Sequence, residues 1–221
     1  MSDNKKIFKL SLLGETEVGK TSMANMKLNK KFNQTKIATL GIDITSDTAE
    51  IEGKNCIFSI YDTAGQERFE SVSGTTIKVC DGFILVYAVN KKKTLKKIEK
   101  WISFIKENSK INEKALILVG NKIDIVEREV TKEEGEEFAK QCNLEYFETS
   151  AKTGENIEKA FNCIYEKLYN LKMKPKEEKN NQSNAGNNKV NEKNQNVKID
   201  KEKTIDKGKK KRNWWWWCPI F

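Results

Sequence analysis

Residues 14–21 read Gly-Glu-Thr-Glu-Val-Gly-Lys-Thr and match the pattern GxxxxGK[ST]. That spacing is what a backbone needs to wrap a chain of phosphates. The glycines permit the tight bend, and the N–H groups of Glu17, Val18 and Gly19 turn towards phosphate oxygens at a helix N-terminus. Lys20 supplies a point charge for the β- and γ-phosphates. Thr21 offers a hydroxyl to Mg²⁺, an ion that keeps most of its waters and takes few protein ligands. Glu15 and Glu17 are unusual company for an anion, so their side chains are expected to face solvent while their amides face inward. The loop by itself specifies a nucleoside triphosphate and leaves the base open.

Three further clusters carry chemistry. Asp62-Thr63-Ala64-Gly65-Gln66-Glu67-Arg68-Phe69 opens with a carboxylate able to hold Mg²⁺ through a water, followed by a glycine whose N–H can meet a γ-phosphate. Asn121-Lys122-Ile123-Asp124 offers a carboxylate that accepts from guanine N1–H and its 2-amino group. Adenine lacks both donors and would leave that carboxylate unpaired, a mismatch that discriminates strongly. Ser150-Ala151-Lys152 is the third cluster.

The elements that would position these clusters can be read from periodicity. Residues 5–13 alternate and run into Gly14, as a strand entering a glycine loop does. Residues 20–30 are expected as a short helix. Residues 42–51 and 55–61 flank the turn Glu52-Gly53-Lys54. The apolar runs 83–89 and 115–119 suit strands covered on both faces. Leu95, Ile98, Trp101, Ile102 and Ile105 recur at helical spacing. Thr131 and Glu134 form a capping box ahead of Phe138 and Cys142. Leu144, Tyr146 and Phe147 belong to a short strand. Ile157, Ala160, Phe161, Ile164 and Leu168 stripe a last helix. Strands alternating with helices predict an α/β fold: a P-loop NTPase with a mostly parallel six-stranded sheet, helices on both faces, and ligands beyond the strands' carboxyl ends.

Composition narrows the field. The 221 residues contain no histidine, which excludes Ser-His-Asp and Cys-His catalysis and any His-ligated metal. Five scattered cysteines fit a reducing compartment, not a disulfide framework or zinc site. No apolar run reaches the ~18 residues of a membrane span, and the N-terminus lacks a secretory h-region. Net charge is +9, yet residues 1–171 hold 27 Lys+Arg against 26 Asp+Glu, while 172–221 hold 14 against 6. A nearly neutral domain, 1–171, is therefore expected to carry a disordered basic hypervariable tail, 172–221. With the charge confined to the tail and no aromatics interleaved with it before Trp214, nucleic acid is not an expected partner.

Taken together, and in this order across residues 7–170, these motifs resemble those of the Ras superfamily of small GTPases. DTAGQERF at 62–69 and Thr39-Leu40-Gly41-Ile42-Asp43-Ile44 are similar to the Rab branch. The resemblance implies a GTP/GDP-switched, membrane-anchored regulator of vesicle trafficking, a monomer, that hydrolyses GTP slowly until a GTPase-activating protein assists. Gln66 would orient the attacking water. Thr39 would bind Mg²⁺ and the γ-phosphate, and Gly65 the γ-phosphate. Phe32 would pack against the guanine edge, although as an isolated aromatic it also reads as core. Lys122 and Lys152 would flank the base, and the Ala151 N–H would reach guanine O6. Ser22, Asn121 and Ser150 complete the GTP-binding set. Switch I (about 33–44) and switch II (about 65–79) would order around the γ-phosphate. Implied partners are an exchange factor, a GTPase-activating protein, effectors, and a GDP-dissociation inhibitor or prenyl-binding chaperone. Cys218-Pro219-Ile220-Phe221 fits a prenylation box, and Phe at the end favours geranylgeranyl on Cys218. With the basic segment 207–212 and Trp214 to Trp217, it implies a peripheral protein on the cytosolic face of an endomembrane or the plasma membrane. The chain departs from the family at Lys36, where an aromatic usually covers the nucleotide, and at Ile44 in place of Phe, Tyr61 in place of Trp and Thr76-Ile77 in place of an aromatic pair, the last three in the region that effectors read. Two alternatives stay open: a nucleotide-binding membrane adaptor with little hydrolysis, or a Ras-like signalling GTPase outside the Rab branch.

Overall fold

The computed structural model describes residues 6–28, 42–63 and 70–174. In chain order the elements are β1 (Lys6–Leu13), α1 (Lys20–Lys27), β2 (Ile42–Ile51), β3 (Lys54–Thr63), α2 (Glu70–Val79), β4 (Gly82–Ala88), α3 (Lys92–Lys96), α4 (Ile98–Asn108), a 3₁₀ turn (Ile111–Glu113), β5 (Ala115–Asn121), α5 (Lys132–Gln141), β6 (Glu145–Thr149) and α6 (Ile157–Met173). Six strands form one sheet in the order β2-β3-β1-β4-β5-β6. β2 runs antiparallel to β3, and every other pairing is parallel. Order reverses on either side of β1, so the carboxyl ends of β1 and its neighbours flank the crevice that such sheets use for ligands.

The strands expected from apolar runs are here, each within two residues of its expected bounds. β4 and β5 are buried along their whole lengths, because helices cover both faces. Alternation divides their side chains between two cores. Ile84, Val86, Ile117 and Val119 pack with Phe8, Leu10, Leu12 and the α6 stripe Ile157, Ala160, Phe161, Ile164 and Leu168. Phe83, Leu85, Tyr87, Leu116 and Leu118 pack on the opposite face with Ile77 of α2, Leu95 of α3, Ile98 and Ile105 of α4, and Ala139 of α5. The β2–β3 connection is the expected tight turn, with Glu52 at φ 50° and Gly53 at φ 73°, the pair of positive angles that matches strand twist in two-residue hairpins.

Three local features differ from the expectation. The helical spacing from Leu95 to Ile105 is served by two helices meeting at Lys97, not one. Helix α2 carries weak amphipathic patterning and has no counterpart in the periodicity reading. Its Thr76 and Ile77 are buried, 1% and 0% exposed, so these two departures lie inside the fold. Ile44 is 55% exposed and sits directly across the β2–β3 ladder from Tyr61, so these two do reach a surface.

Candidate functional site

The loop between β1 and α1 curls over the carboxyl end of β1. Its first glycine is forced: a Cβ at Gly14, where φ is +153°, would collide with the Val86 carbonyl oxygen of β4. Gly19 is forced as well, since φ is +100° and a Cβ would strike the Asn121 amide. Between them Val18 is fully buried and anchors the loop to the core, while Thr16 and Glu17 stay exposed. Gly19 is also the residue that opens α1, with no side-chain cap on the helix N-terminus. The first-turn N–H groups of such a helix have no intrahelical partner and are suited to an anion.

Lys20 folds back into this loop. Its Nζ donates to the carbonyls of Gly14 and Glu15, 3.0 Å each, and the residue is 5% exposed. Burial pulls the ammonium down from its usual 10.5 to about 8, against the opposing pull of the Asp62 and Glu15 carboxylates. A buried ammonium with a carboxylate beside it is a local charge pair ready to be rearranged by an anion. Asp62, 4% exposed, comes from the carboxyl end of β3, where it sits beside Leu12 of β1 and Asp43 of β2. Thr21 follows Lys20 in α1 and is exposed, with Ser22 after it. A hydroxyl oxygen and a carboxylate oxygen, both hard donors, are the chemistry Mg²⁺ accepts.

The second half of the site lies at the ends of β5 and β6. Asn121 is 1% exposed and bonds in two directions. Its Nδ2 donates to the Val18 carbonyl at 2.8 Å. Its Oδ1 accepts from Thr149 Oγ1 at 3.2 Å and from the Ala151 N–H at 3.0 Å. One side chain thus ties the phosphate loop, β5 and the loop after β6 into one unit. Lys122 takes the left-handed conformation, φ 74°, which turns the chain sharply after β5. Ser150 Oγ donates to Asp124 Oδ1 at 2.7 Å and accepts from the N–H groups of Lys152 and Thr153 at 3.2 and 3.1 Å. Lys152 Nζ lies 3.9 Å from Asp124 Oδ2. Ser150 thereby fixes one Asp124 oxygen, while that side chain keeps 16% of its accessible surface.

The loops that carry Glu17, Val18, Gly19, Lys20, Thr21, Ser22, Asp62, Asn121, Lys122, Asp124, Ser150, Ala151 and Lys152 therefore converge at one end of the sheet. Phe32, Thr39, Gly65, Gln66 and Cys218 lie outside the described residues, as do Lys36, segment 207–212 and Trp214 to Trp217. Two features were invisible to motif reading. Asn121 and Ser150 brace the site from within. Two lysines outside the motifs also reach the loop's acidic residues: Lys91 Nζ is 2.9 Å from Glu17 Oε2, and Lys97 Nζ is 3.8 Å from Glu15 Oε1. Neither pairing has a local sequence signal, since 74 residues separate Glu17 from Lys91.

Comparison with known proteins bears on the same span. The family model described as Ras family matches residues 9–170. Ras-related protein Rab-13 of Mesocricetus auratus is 40% identical over 159 residues, 72% of this chain and 78% of that protein. Ras-related protein Rab-18 of Lymnaea stagnalis is 36% identical over 160 residues, 72% of this chain and 79% of that protein.

Proposed function

The chain belongs to the Ras family of small GTPases, and from that premise we propose how its site reads and holds a guanine nucleotide. It is a Rab-like GTPase of vesicle trafficking, which hydrolyses GTP to GDP and phosphate. The observation that carries the reading of its site is the convergence of the Lys20 loop with Asp124 through the Asn121 brace.

In this reading the amides of Glu17 to Gly19 and the Lys20 ammonium hold the phosphates. On binding, Lys20 exchanges its bonds to the Gly14 and Glu15 carbonyls for phosphate oxygens. Asp124 accepts from the guanine N1–H and 2-amino groups with the oxygen that Ser150 leaves available. Lys122 and Lys152 lay their stems along the base, and the Ala151 N–H serves O6. Thr21, Thr39 and, through a water, Asp62 are the residues that would hold Mg²⁺. Bound there, that ion would offset charge on the β- and γ-phosphates. Gly65 meets the γ-phosphate, Phe32 covers the guanine edge, and Gln66 orients the attacking water. The phosphate loop contains no arginine, so an activating protein supplies the ~10³–10⁵-fold acceleration typical of an arginine finger.

Exchange factors, activating proteins and effectors are the partners a Ras-family switch works with. At the finer level we propose a GDP-dissociation inhibitor or prenyl-binding chaperone, and membrane attachment through geranylgeranyl-Cys218, residues 207–212 and Trp214 to Trp217. Domain 1–171 does the switching and 172–221 the anchoring. The test of the base reading is a competition among GTP, ATP and XTP. Wild type should take GTP far ahead of ATP, and Asp124→Asn should shift its preference to XTP. Equal affinity for ATP and GTP would refute it.

A further inference from the structure

The phosphate loop of this chain is acidic. Between Gly14 and Thr21 it carries Glu15 and Glu17 with Lys20 as its one cation. Lys20 is committed to the loop interior, where its Nζ is held by two carbonyls and its charge already faces the Asp62 and Glu15 carboxylates. It cannot also neutralise the exposed Glu17 carboxylate while receiving a polyphosphate. Uncompensated, that carboxylate would raise the local negative potential where three more anionic groups must dock.

We propose that Lys91 is a positioning residue for nucleotide binding: through its 2.9 Å ion pair it neutralises and holds aside the Glu17 carboxylate, making an acidic loop fit for a polyphosphate. The inference rests on the guanine-nucleotide reading above and adds a determinant outside its motifs. Lys91 is placed for this by its backbone. Its N–H donates to the Ala88 carbonyl at 3.0 Å, and its carbonyl accepts from the Thr94 N–H at 2.9 Å and from Thr94 Oγ1 at 2.7 Å. Thr94, 2% exposed, in turn accepts from the Ala88 N–H at 3.0 Å. The turn that presents Lys91 is thus fixed from the core outward before any ligand arrives. Glu17 is equally constrained, because its φ of 64° commits the backbone to a left-handed conformation. Lys97, at the end of α3, stands in the same relation to Glu15 at 3.8 Å. One segment therefore supplies counter-charges to both acidic residues of the loop.

An exposed ion pair of this kind adds little to folding, because water screens it and two side chains must be ordered. Its effect is on the ligand, whose several charges all feel the Glu17 carboxylate. The test compares wild type, Lys91→Gln, Lys91→Arg, Glu17→Gln and the Lys91→Gln/Glu17→Gln pair. GDP and a non-hydrolysable GTP analogue are titrated with Mg²⁺ at low and high salt, with thermal unfolding of each variant without nucleotide. Lys91→Gln should weaken binding about three- to tenfold at low salt, with the loss shrinking as salt rises. Unfolding should barely move, and Lys91→Arg should bind as wild type. In the Glu17→Gln background Lys91→Gln should cost clearly less than in the wild type, a coupling that a merely structural lysine would not produce. Lys132→Gln, which breaks a 3.6 Å pair with Glu136 on α5, serves as the control for a lost surface charge. Equal losses with and without Glu17, or no loss at low salt, would overturn the Lys91 role and leave the function standing. A folded wild type that binds no guanine nucleotide would overturn both.

Discussion

Lys20 keeps its charge where charge is costly, and that has a pH consequence. Burial brings its pKa to about 8. A phosphate favours the charged form, so the bound-state pKa is higher. Below about pH 7 the ammonium is charged in both states and binding exchanges no proton at this group. Above pH 8 the free protein has lost the proton that the complex needs, so binding takes one up and affinity falls, by up to about tenfold per pH unit. Calorimetry of GDP binding in buffers of different ionisation enthalpy should show uptake rising from near zero at pH 7 towards one proton by pH 9. Asn121 predicts a different kind of loss. Asn121→Ala removes the donor to the Val18 carbonyl and the acceptor for Thr149 and Ala151, leaving buried polar groups without partners. Each such group costs about 1–3 kcal/mol. Urea unfolding without nucleotide should show a destabilisation of about 2–4 kcal/mol, and GDP affinity should drop at least tenfold, since the phosphate and base loops both lose their brace.

Elements were legible where one sequence signal dominates. β4 and β5 are unbroken apolar runs, and α6 has a clean stripe; α5 announces itself by Thr131 and Glu134, whose reciprocal bonds are both present at 3.0 and 3.2 Å. Helix α2 was not legible because Glu70–Val79 mixes serine, threonine, valine and glycine, residues that lower helix propensity; tertiary packing of Ile77 holds it instead. The motifs of the site could be read because each is contiguous. The contacts that rigidify it could not, since Asn121 reaches across 103 residues to Val18. Gly135 in α5 shows the same limit. A glycine in a helix interior costs about 1 kcal/mol relative to alanine, yet here a Cβ would collide with the Tyr146 hydroxyl and approach the Tyr87 hydroxyl to 2.6 Å. Those two tyrosines are bonded at 2.7 Å, and Tyr146 also donates to Glu148 at 3.0 Å, so neither ring can swing aside cheaply. Overpacking wins over propensity, and Gly135→Ala should destabilise the fold by about 1–3 kcal/mol. The urea midpoint measures it; a rise would mean that α5 shifts freely on the sheet.

For the whole molecule the decisive quantity is where charge is placed, not its total. Residues 1–171 are within one unit of neutrality, and the excess of basic residues belongs to 172–221. Among the described residues no helix is long and apolar enough to cross a membrane, which directs attention to the tail's chemistry. In the anchoring proposed above, one prenyl chain would give marginal, reversible attachment, so a second signal is needed. Lys207, Lys209, Lys210, Lys211 and Arg212 would supply it at about 1 kcal/mol per cation near an anionic leaflet. Trp214 to Trp217 would add rings that favour the headgroup level. Before any lipidation, the full chain should therefore co-sediment with phosphatidylserine-containing vesicles far better than with phosphatidylcholine alone. Replacing the five cations by glutamine should remove up to about three to four orders of magnitude of that affinity at low salt. Raising salt should do the same to the native chain, because the attraction decays within a Debye length. Cys218→Ser should leave unlipidated binding unchanged and should matter only after geranylgeranylation, when the native chain gains the alkyl contribution and the variant does not. GDP affinity should be the same in all these forms, since the site and the anchor share no residue. Binding that is indifferent to both salt and lipid charge would transfer the anchoring from the cations to the tryptophans.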